Sequence, residues 1–227
     1  MLYSYLKKAV AKAHKGFMKE RFDLFLHLIG IEEGGLIVDL GGGSGEFMEM
    51  LRTVRSDCEI LVADISENAL DQASRKGFDT VLLTELEPFP FESQEVDVVF
   101  CNSVIEHCTI AKSLIWTMTD SDRFRQEALR TQASVAEEIE RVGRKYFVQT
   151  PTRSFPIESH TLFPFVATLS RPRQVAAIRL LNRFWFKKTS PDWNLLDRHQ
   201  MASLFPSGKI IERRWLGFSK EIIAYRG

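Results

Sequence analysis

The densest chemical signal in the chain is the run Asp39-Leu40-Gly41-Gly42-Gly43-Ser44-Gly45, entered from the apolar stretch that begins at Leu36 and followed by the helix-like segment Glu46 to Arg52. Glycines that end a strand adopt turns barred to other residues and let backbone N–H groups come close to a ligand. Several nucleotides would fit such a turn, and spacing discriminates among them. A dinucleotide fingerprint started at Gly41 and Gly43 needs a glycine at position 46, where Glu46 stands, and the last glycine is Gly45. A carboxylate repels a diphosphate, so Asp39 suits a nucleoside bearing positive charge and no phosphate, as S-adenosylmethionine does with its ammonium and sulfonium groups. The next apolar run, Ile60 to Ala63, ends at Asp64, where a carboxylate can accept hydrogen bonds from both ribose hydroxyls. Ile65 beside it can pack on adenine. The plain alternative is that Asp39 and Asp64 cap loops or helices; strand, spacing and acids taken together speak against it.

In open α/β sheets the ligand lies beyond the carboxyl ends of the strands. The turn Asn102-Ser103-Val104-Ile105-Glu106-His107 then faces the reacting group, with Asn102 assigned to the cofactor and Glu106 and His107 to the acceptor. Two roles are open to His107: a general base for a hydroxyl acceptor, since imidazole titrates near neutrality, or a helix-start histidine bonded to backbone. Transfer of a methyl group needs little beyond holding the nucleophile in line with the sulfonium carbon, so catalysis by proximity can leave no side-chain signature.

These residues need a scaffold that brings strand ends together. Residues 2 to 29 mix lysines with apolar positions at helical spacing, and Gly30 stops them. Short apolar runs at 36–40, 60–63, 80–83 and 96–101 alternate with helical or crossover segments, the pattern of a doubly wound parallel sheet. A long charged helix over 122–142 feeds a fifth strand at 145–149, and the runs 209–215 and 221–225, joined through Gly217, make an antiparallel hairpin. The longest departure from a minimal fold is 151–200, between strand 5 and the hairpin, which reads as a helical lid over the substrate. Arg153, Glu158 and His160 within it are assigned to the acceptor; Glu158 and His160 either relay a proton or tie down the loop. Between Ser159 and Pro191 there is no acid before or among Arg171, Arg173, Arg179, Arg183, Lys187 and Lys188. Arg179, Arg183 and Lys187 share one helical face while Ile178, Leu181 and Trp185 occupy another. Such a segment, 171–188, either meets a phosphate-bearing or lipid-linked acceptor or an anionic membrane surface, or is a solvated basic face on a packing helix.

Leu36 to Phe47, Val62 to Ser66 and Glu85 to Val99 together resemble the class I S-adenosylmethionine-dependent methyltransferases, in particular the broad methyltransferase domain type 11 family. The resemblance covers roughly residues 34 to 108, and its D-x-G-x-G-x-G motif is complete. It implies an α/β, Rossmann-like seven-stranded sheet of order 3-2-1-4-5-7-6 with strand 7 antiparallel and helices on both faces, which agrees with the hairpin. By position, Asp39, Gly41, Gly42, Gly43 and Gly45 would line the methionine part, Asp64 the ribose, and Glu85 and Leu86 the adenine. Glu85 stands where the family usually has Asp. His107 resembles the family's frequent histidine at its place, and Asp97 would be structural.

The 227 residues, 44% hydrophobic and 26% charged, suffice for one well-buried domain with insertions, and the N-terminal helical region is counted with it. Thirty basic and thirty acidic side chains cancel, so no global field draws the chain to nucleic acid, and no nucleic-acid partner is expected. Cys58, Cys101 and Cys108 form no C-x-x-C pair, which argues against a disulfide framework and a thiolate zinc site; no metal is expected. The absence of a signal-like or membrane-spanning apolar run leads to the expectation of a cytoplasmic protein, peripheral to a membrane at most. A small-molecule or lipid- or sugar-linked acceptor is the expected partner, S-adenosylhomocysteine the expected product. A non-catalytic S-adenosylmethionine-binding module and an NAD-dependent oxidoreductase are the alternatives.

Overall fold

The structure, a computed structural model, describes residues 2–85 and 87–227, with side chains in the first helix at Lys12 and from Lys15 onward. Leu86, assigned above to the adenine, lies outside the described residues. The elements run α1 (Leu2–Leu28), β1 (Leu36–Leu40), α2 (Glu46–Val54), β2 (Glu59–Asp64), α3 (Glu67–Arg75), β3 (Asp79–Leu82) and β4 (Val96–Asn102). After a single 3-10 turn at Ile105–His107 come α4 (Ser121–Val142), β5 (Gly143–Pro151), α5 (Arg171–Phe184), α6 (Arg198–Leu204), β6 (Lys209–Trp215) and β7 (Phe218–Arg226). The strands form one sheet of order β3-β2-β1-β4-β5-β7-β6. β7 runs antiparallel to both neighbours and the remaining pairs are parallel. Order and direction are those the sequence resemblance implies.

Successive side chains of a strand point to opposite faces, so a continuous apolar run supplies two cores at once. Ile37, Val98, Phe100 and Phe147 enter one core with Phe22 and Phe25 of α1, Phe47, Met48 and Leu51 of α2 and Leu70 and Ala73 of α3. Val38, Leu40, Val99, Cys101, Tyr146 and Val148 enter the other with Ala136, Ile139 and Val142 of α4 and Met201 of α6. Helices thus cover both faces. Three helix starts are fixed by side-chain caps, Ser66 on α3, Asp120 on α4 and a capping box of Asp197 and Gln200 on α6. Asp97 is structural: it accepts from Leu36 N–H at 2.9 Å and from Arg144 at 2.8 Å, tying β4 to the start of β1 and to β5.

Residues 152–197 form a separate layer with a small core of its own, Val166, Ala167, Ile178, Leu181, Trp193 and Leu195. The insertion expected over 151–200 overlaps its neighbours at both ends, since Pro151 closes β5 and Arg198 opens α6. The reading of Arg179, Arg183 and Lys187 as one helical face needs correcting at its last member. α5 stops at Phe184, and Lys187 lies beyond it with its ammonium donating to the Ser159 carbonyl at 2.6 Å. Arg171, at the start of the helix, is buried against the Phe124 ring and donates to the carbonyls of Ile115 and Met118. No helix among the described residues is long and apolar enough to cross a membrane.

Candidate active site

The carboxyl ends of β1 and β2 bring Asp39 and Asp64 to either side of the glycine turn. Asp39 is buried, and burial followed by the charge of Asp64 raises its pKa to about 7. The turn must close tightly over it. A Cβ at Gly42 would stand 2.4 Å from the Asp39 carboxyl, and Gly41, at φ +67°, would meet the Val104 side chain at 2.5 Å. Neither position admits alanine without a shift of its neighbour. Asp64 accepts from Gly43 N–H and Ser66 N–H, both at 2.9 Å, which orients the carboxylate while each oxygen keeps a second lone pair for a hydroxyl. Ile65 is exposed next to it. Glu85 is further out, on the surface, 3.9 Å from the ammonium of Lys112.

Asn102, at the end of β4, is engaged from an element the sequence did not connect to it. Arg21 of α1 donates to Asn102 Oδ1 at 2.6 Å and pairs with the buried Glu221 of β7, two hundred residues away. Glu221 also accepts from Arg213 at 2.7 Å and from Gln149 at 3.0 Å. This network fastens α1 across the ends of β4, β5 and β7. Only tertiary structure exposes it, because Arg21 sits in the helix like any other basic residue of that segment.

The acceptor-side residues converge. Glu106 is fully buried in the 3-10 turn; its Oε2 accepts from the Thr150 hydroxyl at 3.0 Å, while Oε1 has no hydrogen-bond partner. His160 approaches that oxygen with Nε2 at 3.8 Å and presents Nδ1 to Glu158 at 2.5 Å. Glu158 further accepts from the backbone N–H groups of His160 and Thr161, so it ties down the loop that carries the histidine. Burial disfavours the charged His160 ring, but the carboxylates of Glu106 and Glu158 outweigh it and raise the pKa to about 9. His107, half-buried, packs edge-on to His160 at a centroid distance of 4.7 Å and faces Asp192 Oδ1 with Nδ1 at 3.3 Å. Trp193 stacks on the other side of His160 at 5.2 Å. Asp192, Trp193 and Thr150 were not singled out in the sequence, since no motif marks residues that serve by supporting others.

Next to this cluster a cleft of about 290 Å³ opens between the 152–197 layer and the start of α4, lined by Arg125, Arg153, Leu169, Trp193 and Asn194 among others. Neither Arg125 nor Arg153 makes a hydrogen bond or ion pair among the described residues. Burial and the neighbouring Arg125 charge press the Arg153 pKa down, and Asp197 offsets them only in part. Arg153 thus lines the cleft, Trp193 and Asn194 of its wall contact His160 and Glu106, and Asp39 and Asp64 stand at the ends of β1 and β2.

Residues 38–145 match a methyltransferase domain family. Among solved structures, geranyl diphosphate C-methyltransferase from Streptomyces coelicolor A3(2), in complex with Mg2+, geranyl diphosphate and S-adenosyl-L-homocysteine, superposes with a TM-score of 0.59 at 13% identity. That match covers 96% of this chain and 83% of the other. A geranyl diphosphate methyltransferase in complex with SAM gives 0.57 at 14% identity, over 95% and 87%. A small RNA methyltransferase gives 0.54 at 16% identity, over 94% of this chain but 25% of that one. No curated protein matches by sequence. At such identities the likeness is one of fold, and the acceptors named in these structures differ as widely as a diphosphate and an RNA.

Proposed function

Because residues 38–145 match a methyltransferase domain family, we propose that the chain transfers a methyl group from S-adenosylmethionine to a small or lipid- or sugar-linked acceptor that carries an anionic group. The observation that carries the cofactor half is the pair Asp39 and Asp64, two carboxylates at adjacent strand ends around a glycine turn, with no basic side chain paired to either among the described residues. That electrostatic setting favours a cationic nucleoside over a diphosphate. Asp39 and Gly41 to Gly45 would hold the methionine part, Asp64 the ribose hydroxyls, Ile65 and Glu85 the adenine side. Asn102 lines the end of β4 next to the methyl group. In the reaction a nucleophilic oxygen, nitrogen or carbon of the acceptor bonds to the methyl carbon, and the carbon–sulfur pair stays on sulfur, giving S-adenosylhomocysteine.

The acceptor half rests on the cleft. Arg125 and Arg153, neither in a hydrogen bond or ion pair among the described residues, suit a phosphate or carboxylate, and Trp193 and Asn194 of the cleft wall contact His160 and Glu106. His107, its Nδ1 turned to Asp192 at 3.3 Å, presents its other ring nitrogen to the acceptor side. A lipid-linked acceptor is supported by the outer face of α5 and the loop before it, where Phe165, Leu180 and Phe184 are exposed among Arg173, Arg183 and Lys188. Apolar anchors among cations are the make-up of a surface that meets an anionic membrane.

The test is transfer of labelled methyl groups to a panel of matched acceptors with and without a phosphate or carboxylate. Anionic acceptors are expected to be methylated, and Arg153→Ala to raise KM for them far more than it lowers kcat. Equal turnover of neutral counterparts, or an unchanged KM in the variant, would overturn the acceptor half and leave the cofactor half standing.

A further inference from the structure

Glu106 poses a problem of charge. It is wholly buried, one oxygen is satisfied by Thr150, and the other has no hydrogen bond, only the His160 ring at 3.8 Å; a buried carboxylate oxygen left without a hydrogen bond is costly and calls for a closer partner. Two further carboxylates, Glu158 and Asp192, stand within the same cluster, so three acids face two histidines. Their arrangement is ordered. Each histidine turns Nδ1 toward its own outer carboxylate, His160 to Glu158 and His107 to Asp192. Once a cation displaces the proton from the other ring nitrogen of each, that nitrogen is a lone-pair donor in the carboxylate–histidine orientation found behind metal-ligating imidazoles.

One ring nitrogen of His107, one of His160 and one oxygen of Glu106 lie within 4.8 Å of one another. Of these, His160 Nε2 and Glu106 Oε1 are 3.8 Å apart, too long for a hydrogen bond. That separation is close to the roughly 3.4 Å between two atoms bound tetrahedrally to one ion at roughly 2.1 Å each. Trp193 packs His160 from the far side and the Asn194 N–H donates to the Glu106 carbonyl at 2.8 Å, so both supports are built into the wall of the cleft.

We propose that Glu106, His107 and His160 bind one first-row divalent transition-metal cation behind the Trp193–Asn194 wall of the acceptor cleft, Glu158 and Asp192 being the positioning residues behind the two histidines. Two imidazoles and one carboxylate select Zn2+, Co2+ or Mn2+ over Mg2+ and Ca2+, which prefer oxygen donors. Three protein ligands leave coordination positions open for oxygen atoms of an acceptor. The sequence-based expectation of no metal rested on missing thiolate pairs; this site uses none, and its ligands come from segments more than fifty residues apart in the chain.

Cobalt(II) titration of chelator-treated full-length protein tests this without cofactor or acceptor, by calorimetry and by the visible absorbance of the bound ion. One saturable equivalent is expected, with Zn2+ competing and Mg2+ not competing at equal concentration. His107→Ala, at a half-exposed position, should weaken binding by more than the ~10–100-fold expected for the positioning variant Asp192→Asn. His160→Ala should behave as His107→Ala does; if it proves misfolded by circular dichroism, the two other variants decide the matter. No saturable Co2+ binding, or binding that His107→Ala and Asp192→Asn leave unchanged, would overturn the site, whatever the outcome for methyl transfer.

Discussion

Asp39 is held at about pH 7 by burial and by Asp64, which makes it the group most able to report the cofactor. In the proposed site the cofactor's cationic amino group meets the ionised carboxylate, so affinity for S-adenosylhomocysteine should rise with pH up to about 7 and level off above it. Each pH unit below that point weakens binding by up to about tenfold. Asp39→Asn should bind weakly and with no such pH dependence, measurable by calorimetry between pH 5.5 and 8. The ligand-free protein carries the opposite sign. A carboxyl whose folded pKa lies above the ordinary 3.8 binds its proton more tightly when folded, so this residue's contribution to stability is greatest in acid and is lost as pH rises toward 7. Relative to Asp39→Asn, wild-type melting temperature should therefore fall between pH 5 and 7.5. The placement of Asp39, the glycines and Asp64 around one turn was legible in the chain, because they form a local motif at adjacent strand ends. Arg21, Arg125 and Asp192 were not, since each matters through partners distant in sequence.

At the scale of elements, α1 is fixed to the sheet by a stack of rings. Phe25, fully buried, meets Phe47, Phe100 and Phe147 at centroid distances of 6.1, 4.9 and 5.5 Å. Phe25→Ala should cost about 3–5 kcal/mol of stability, read by urea unfolding, and should loosen the Arg21 contact with Asn102 by displacing the helix. A loss below about 1 kcal/mol would mean that α1 packs elsewhere. α5 belongs to the same scale. If its outer face meets anionic lipid, the protein should co-sediment with vesicles rich in phosphatidylglycerol and release them on raising salt, while Phe184→Asp should abolish the association. Equal sedimentation with neutral vesicles would contradict the electrostatic part. The strands were readable from sequence because both-face burial demands unbroken apolar runs. The end of α5 was misplaced because Lys187 keeps the helical spacing of Arg179 and Arg183 after the helix has ended.

For the molecule as a whole, the division into a seven-stranded sheet with two large cores and a 152–197 layer with a small one predicts unequal local stability. Amide hydrogen exchange should be fastest in that layer and slowest in β1, β4 and β5, since opening a small core exposes less apolar surface. Sheet order was legible through the C-terminal hairpin and the family resemblance; the layer's internal structure was not, as its short segments have no long periodicity. The central claim is that this sheet presents a cationic nucleoside to an acceptor, and one measurement addresses it most directly. S-adenosylhomocysteine is titrated into the wild type and into Asp64→Ala, by calorimetry and melting temperature together. One site is expected in the wild type, with about 2.7 kcal/mol of added stability at a hundredfold excess over Kd and a much weaker response in the variant. No binding to the wild type, or equal binding to Asp64→Ala, would contradict the account.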